Sequence, residues 1–276
     1  MTIGMTTLAV GCSEPLAGSS ERDVQAPGNR LHWFEPPGSS PSRRSDRIVV
    51  VQMQFDVLRI ELPADRIHHS EKTWNHVDEL RSDPAQMALL RRNGLRMGAA
   101  SPEAWAALRA IFEACQAQVL RARHTVRQGL PLTLELGEVE PDETVFLITA
   151  DQRAVGSTFS RGQKYVHVDY ELNPDAESTA TLRVTPEIHN LTGERRWRRD
   201  GGRLLKVPEY EGKLFHELAC TLTLGAGEFL VIGPDTTAAT NLTVGRRFLT
   251  REHQGQAYET VLCITPQPFR TEAAKR

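Results

Sequence analysis

The fold is decided by residues 182–188, which read LRVTPEI, and by residues 259–266, which read ETVLCITP. In the first segment Leu182 and Val184 alternate with Arg183 and Thr185, and the second segment is an apolar run. Both patterns are typical of β-strands that bury one or both faces. Each segment places its proline near the strand end, where a missing backbone N–H costs least. The last third of the chain is therefore predicted to be built from β-strands.

Further strand signals lie around these two segments. They cover residues 132–136, 144–149, 164–170, 179–191, 214–224, 228–233 and 257–265. Ala226-Gly227 reads as a tight turn, which makes residues 218–224 and 228–233 a hairpin. Because no amphipathic segment of helical length interrupts this region, we expect antiparallel sheets or a sandwich.

The upstream part mixes helices and strands. Residues 48–62 alternate as a strand, and the apolar phase changes near Leu58, which a β-bulge would produce. Cap and periodicity signals predict helices. The predicted elements are helices over residues 70–80, 84–92 and 101–123, with a short strand over residues 95–97.

The predicted fold class is α+β, which a chain of 276 residues can build as one large or two small domains. Residues 1–45 are predicted to be a disordered tail, since Ser, Gly and Pro dominate residues 16–45. We expect a mixed α/β domain over residues 46–140 and a β-rich domain over residues 141–270. Residues 271–276 are predicted to be a short tail.

The N-terminus carries a second pattern. Residues 9–12, AVGC, resemble the end of a bacterial lipoprotein signal, in which small residues precede the lipidated cysteine. The resemblance implies lipidation at Cys12 and a membrane-anchored, periplasm-facing protein of the bacterial cell envelope. No Lys or Arg precedes the short apolar run. The alternative is a disordered tail with a chance Gly-Cys pair, which leaves a cytoplasmic location open.

Four segments in the second half of the chain follow one another in the order of the motifs of a known domain family. These are residues 184–188, 227–233 (GEFLVIG), 245–248 (GRRF) and 259–266. In order and character they resemble the secretin domain, the outer-membrane pore module of bacterial type II and III secretion. The resemblance implies assembly through protein–protein contacts. The segment between Ile188 and Leu214 is too short for the family's lip and gate, so it implies a reduced relative or accessory.

The sharpest local feature is residues 194–202, ERRWRRDGG. The candidate contacts to an anionic surface are Arg195, Arg196, Trp197, Arg198 and Arg199. A net charge of −2 weighs against nucleic acid as the partner. If the N-terminal tether is real, lipid headgroups are the better anionic ligand. The alternative is a solvated hairpin with Trp197 shielded by arginine stems and residues 200–202 as its turn. A second basic spot, residues 245–248 with Arg251, is interpreted as a strand edge whose charges oppose aggregation.

Catalytic and metal-binding patterns are weak. Ser157 lacks the flanking glycines of a nucleophile elbow, and the acidic pairs at residues 138–143 sit beside a turn. His68, His69 and His76 read as surface histidines. No two of the four cysteines form a CxxC motif; Cys220 and Cys263 read as buried apolar positions, with a disulfide open if their strands are neighbours. We therefore predict no catalytic residue, no metal and no cofactor.

These observations predict a non-enzymatic cell-envelope component. It would be a tethered assembly protein, or a secretin-related structural protein, that contacts other envelope proteins or copies of itself. The alternative is a soluble β-rich ligand-binding module, and an enzyme of unrecognised type ranks third.

Overall fold

The computed structural model describes residues 48–64, 70–127, 129–172, 179–200, 203–238, 240–253 and 255–273. Residues 46–276 form one compact unit. The predicted tail with Cys12 lies outside the described residues, as do His68 and His69.

The described part of the chain contains short helices and long strands. The helices are α1 (Ser70–Trp74), α2 (Pro84–Arg92), α3 (Ala104–Ala114) and α4 (Val244–Leu249). The strands are β1 (Ile48–Pro63), β2 (Leu95–Ala100), β3 (Gln118–Arg127), β4 (Leu132–Ile148), β5 (Ala154–Leu172), β6 (Ala180–Asp200), β7 (Arg203–Leu214), β8 (Cys220–Leu224), β9 (Phe229–Pro234), β10 (Thr250–His253) and β11 (Gln256–Ala273).

The strands form two sheets, and every strand pair within them is antiparallel. Sheet A has the order β2-β9-β11-β1-β3, with β10 paired to β11. Sheet B has the order β4-β5-β6-β7, with β8 paired to β6. Buried apolar side chains of both sheets pack into one core cluster. The predicted α+β class with antiparallel sheets is confirmed.

Strand β1 runs without the predicted bulge. Its register with β11 and β3 is continuous through Leu58. Met53 and Phe55 belong to the core between the sheets, whereas Ile60 and Leu62 belong to a second core with residues of α1 and α3. The apolar phase changes because different neighbours cover the two faces of one regular strand.

Strand pairing crosses the predicted boundary at residue 140. Sheet A combines β1, β2 and β3 with β9, β10 and β11. Strands β1 and β11 pair from Ile48↔Ala273 to Pro63↔Tyr258. Segments on the two sides of residue 140 therefore share one sheet.

Helix α2 has the predicted boundaries, whereas α3 is much shorter than predicted. The Asp83 side chain caps α2 by accepting from the backbone N–H of Ala85 at 2.9 Å. Helix α3 ends at Ala114, and Gln116 has a φ of 56°, which turns the chain away from the helix axis. Residues Gln118–Arg127 then pair with β1, since an extended segment with β-branched residues completes sheet A better than another helical turn.

Candidate functional site

The basic segment of the sequence forms the end of a long hairpin. Strands β6 and β7 shift register between Leu191 and Arg195 and pair again from Arg195↔Pro208 to Asp200↔Arg203. We call residues 195–200 and 203–208 the arm. Its pairing leaves residues 201 and 202 to join the strands, and these two lie outside the described residues. The predicted hairpin is therefore formed.

The arm exposes apolar side chains on both faces. Trp197 lies opposite Lys206, and Arg199 lies opposite Leu204, so these side chains share a face. Trp197 is 66% exposed and Leu204 is 65% exposed. Leu205, on the other face, is 45% exposed. The alternative in which arginine stems shield Trp197 is therefore wrong.

Basic side chains flank Trp197 on the same face. Arg195, Arg199 and Lys206 are all exposed there, and Arg196 and Arg198 occupy the intervening positions of β6. The structure thus brings Arg195, Trp197 and Arg199 of the predicted set to one face.

An acidic segment lies at the opposite edge of sheet B. Strand β4 is the edge strand there, and its register with β5 shifts between Leu136 and Glu140. Glu138, Glu140 and Asp142 are exposed in this irregular segment, and Val139 is exposed beside them. We call residues 138–142 the acidic edge.

Glu143, the next residue along β4, is buried instead. Its carboxylate forms an ion pair with Lys164 at 2.9 Å. Burial raises the pKa of Glu143, and the hydrogen bond from Lys164 opposes that shift. This pair lies inside the body of the protein and offers no contact to a partner.

The sequence predicted that the second basic spot marks a strand edge, but only Arg251 of this spot lies on a strand, β10. Residues 245–248 lie in α4, where Arg246 donates to Glu259 at 2.6 Å and Arg247 lies 3.8 Å from Glu143. Burial raises the pKa of Glu259, and the hydrogen bond from Arg246 opposes that shift. These arginines neutralise buried carboxylates.

The described cysteines Cys115, Cys220 and Cys263 are buried, and Cys220 and Cys263 are free thiols. Cys220 lies on β8 of sheet B and Cys263 on β11 of sheet A, so the disulfide left open by the sequence does not form. Burial raises the pKa of the Cys263 thiol to about 12, so that thiol is unreactive at neutral pH.

A groove lies beside α3 on the face of sheet A that carries Asp56 and Leu58. It has a volume of about 350 Å³. Trp105 and Phe229 line its apolar part, and their rings meet edge to face with centroids 6.0 Å apart. Asp56 and Arg121 line its polar part and form an ion pair at 3.1 Å. Arg123 donates to Asp56 at 2.8 Å and, with Arg121, lowers the pKa of that carboxyl group.

Sheet B also carries a cluster that sequence reasoning missed. His167 of β5 and Glu187 and His189 of β6 place one ligand atom each within 4.8 Å of one another. The available signal was Glu187-Ile188-His189, since residues two apart on a strand share a face. His76 is exposed and is not part of this cluster.

Ser157, the serine considered as a nucleophile, lies on β5. Its hydroxyl accepts a hydrogen bond from Lys213 Nζ at 2.5 Å. Within the described ranges, no helix is both long and apolar enough to span a bilayer.

Comparison with known proteins gives one structural similarity. No protein-family model matches the chain. No curated protein matches it either. A chain of the Klebsiella pneumoniae type II secretion system outer membrane complex, solved with PulD, PulS and the PulC HR domain, is similar at 8% identity and a TM-score of 0.18. The match covers 83% of this chain and 41% of that chain, so the present chain spans less than half of it. A TM-score of this size assigns neither fold nor function.

Proposed function

We propose that this chain is a non-enzymatic assembly protein of the bacterial cell envelope, which associates with copies of itself head to tail through the arm. The observation that carries the proposal is the exposure of Trp197 and Leu204 on one face of the arm. Tryptophan and arginine dominate the energetics of protein interfaces. A partner surface that covers this face would remove both apolar side chains from water.

Charge complementarity supports a second copy as that partner. The arm presents exposed Arg195, Arg199 and Lys206, and the acidic edge presents exposed Glu138, Glu140 and Asp142. Opposite charges across an interface steer association and fix its register. Val139, exposed within the acidic edge, provides an apolar contact for the arm.

The positions of the two surfaces favour an open-ended assembly. The arm extends from β7, one edge strand of sheet B, and the acidic edge belongs to β4, the other edge strand. A contact between the arm of one copy and the acidic edge of the next leaves one arm and one acidic edge free. Such a heterologous contact produces a ring if it closes and a filament if it does not.

A charge-swap experiment tests this contact. One variant carries R195E and R199E, and a second carries E138K and E140K. We expect wild-type protein to form oligomers in multi-angle light scattering as concentration rises, and each variant alone to stay monomeric. Mixing the two variants restores association, because the acidic arm then faces a basic edge and the basic arm faces an acidic edge. A matched control carries K72E and R127E, which reverse two exposed charges elsewhere.

Three results would overturn the proposal. The first is a wild-type protein that stays monomeric at every concentration. The second is a variant mixture that stays monomeric while both variants are folded by circular dichroism. The third is a monomeric wild type whose arm variants lose binding to phosphatidylglycerol vesicles, which would make lipid headgroups the ligand of the arm.

The envelope location rests on residues 9–12 and has its own test. The full gene, including codons upstream of Met1, would be expressed in a bacterium as wild type and as Cys12→Ala. We expect the wild type in the membrane fraction and the variant in the soluble fraction. Equal distribution of the two proteins would contradict the tether without touching the self-association.

The groove beside α3 favours a second candidate function, binding of a small apolar carboxylic acid. Trp105 and Phe229 offer apolar contacts, and the guanidinium group of Arg121 offers a carboxylate partner. Ligand-observed NMR with benzoate and short alkanoates tests this binding. Binding that Trp105→Ala abolishes supports it, and unchanged spectra contradict it.

A further inference from the structure

We infer that His167, Glu187 and His189 form a binding site for a divalent transition-metal ion of the Zn²⁺ class. The site lies on the face of sheet B that points away from the core between the sheets. The inference is independent of the self-association proposed for the arm.

Strand geometry brings the three residues together. Glu187 and His189 are two residues apart on β6 and therefore share a face. His167 of β5 lies directly opposite Thr185, so it is the diagonal neighbour of Glu187. The core-facing residues Leu182, Val184 and Ile188 have the other parity, which places the cluster on the opposite face.

The ligand atoms suit a transition metal. His189 Nε2 lies 2.9 Å from Glu187 Oε1, and His167 Nε2 is in close contact with Glu187 Oε2. Two imidazole nitrogens and one carboxylate oxygen are a donor set that Zn²⁺ accepts in sites with three protein ligands. A fourth coordination position then remains for water or another ligand.

Two buried atoms at the cluster lack a hydrogen bond. Glu187 Oε2 and His167 Nε2 face each other closely, yet neither makes a hydrogen bond of acceptable geometry among the described residues. The Glu187 side chain is only 8% exposed, so water does not readily replace that partner. Leaving a buried carboxylate oxygen unsatisfied is costly. A bound cation would satisfy both atoms at once.

Two neighbours shape the site. A Cβ atom at Gly212 would lie 2.5 Å from Glu187 Oε1. Because glycine has no side chain, the Glu187 carboxylate can occupy the space beside β7. The Tyr165 ring lies 4.4 Å from the His189 ring, centroid to centroid, and limits rotation of the imidazole. The His167 side chain is 20% exposed, which gives the cluster an opening toward solvent. An ion can therefore reach ligands that are already oriented.

The test uses the full chain after treatment with EDTA. Isothermal titration with ZnCl₂ is expected to give one site per chain, and CoCl₂ is expected to give the visible absorption of a four-coordinate ion. His167→Ala, Glu187→Gln and His189→Ala each weaken Zn²⁺ binding by about 100-fold or more, since even residues outside the ligand set contribute 10–100-fold. Gly212→Ala weakens binding too, because its methyl group collides with Glu187.

The control variant is His253→Ala, which removes an exposed histidine on β10. It is expected to bind Zn²⁺ as the wild type does. Circular dichroism of each metal-free variant separates loss of the site from loss of the fold. Absence of one-to-one binding by the wild type overturns the inference, as does wild-type affinity in folded Glu187→Gln and His189→Ala. The cluster would then be an ion pair only.

Discussion

The two halves of strand β6 share one extended backbone, but their side chains differ in burial. In the first half, Leu182, Val184 and Ile188 are fully buried. In the arm, Trp197 is two-thirds exposed on the same continuous strand. Pairing explains the difference: the first half has β5 on one side and β7 or β8 on the other, whereas the described pairing with β5 ends at Asn190. The side chains of a strand are buried only where the sheet has further strands on both sides and can pack against another layer.

A two-stranded ribbon on its own is marginally stable in water. The arm is therefore expected to contribute little to the stability of the fold and much to association. The first half of β6 is expected to contribute to stability and not to association. Substitutions in the two halves should separate stability from association.

The largest effect is expected in the body. Ile188→Ala removes a fully buried side chain and leaves a cavity between the sheets, which lowers the free energy of unfolding by about 2–5 kcal/mol. Urea unfolding followed by circular dichroism measures this loss. Association of the remaining folded protein should not change. A loss below about 1 kcal/mol would mean that the core relaxes around the cavity.

Trp197→Ala should weaken association and leave stability nearly unchanged, the opposite of Ile188→Ala. Because the side chain is exposed, the free energy of unfolding should change by no more than about 0.5 kcal/mol. Association should weaken by about 2 kcal/mol, or roughly 30-fold, as at an interface hot spot. Sedimentation equilibrium measures the second quantity. Leu80→Ala, at another exposed leucine, is the matched control and should alter neither.

The pH dependence of stability should also distinguish buried from exposed charge. The pKa of Glu143 is raised by burial, so its contribution to stability is fully present below its unfolded pKa of about 4.3 and is lost as pH rises through the folded pKa. The stability of the wild type relative to Glu143→Gln should therefore decrease with rising pH.

Asp56 has a lowered pKa, so the comparison with Asp56→Asn should show stability lost as pH falls below about 3.9.

Urea unfolding across pH 3 to 8 measures both slopes. Arg199→Glu on the exposed arm serves as the control and should show neither slope, because its charge stays in solvent. Parallel curves for the wild type and Glu143→Gln would show that the ion pair with Lys164 fully offsets burial.

The smallest effect is expected for Leu205→Ser. Leu205 lies on the arm face that does not carry Trp197. Both unfolding and association should change by less than about 0.5 kcal/mol. A loss of association as large as that of Trp197→Ala would show that both faces of the arm are covered in the assembly.

The sequence predicted strands where one face had to be apolar. Residues 182–188, 229–233 and 259–266 lie on β6, β9 and β11, because alternation and buried runs depend on local sequence alone. The long helix was wrong because Val119 and Leu120 suit a helical face as well as they suit an exposed strand. Which strand they pair with is a property of the whole chain.

The site was harder to predict than the strands. The arm was found because its arginines and tryptophan are adjacent in sequence. The histidine cluster was missed because His167 and Glu187 are far apart in the chain, and only the β5–β6 register brings them together. Residues 245–248 were misread because basic residues look alike whether they face solvent or neutralise buried carboxylates.

The pairing of β1 with β11 has a consequence for biosynthesis. Sheet A places residue 48 beside residue 273, so its central strands meet only after β11 has left the ribosome. Until then β1 has β3 as its partner on one edge only, and the cover of Met53, Phe55 and Ile60 is incomplete. Contacts of such long sequence separation slow folding and prolong exposure of apolar strands. Nascent chains that stop short of β11 should therefore depend on chaperones.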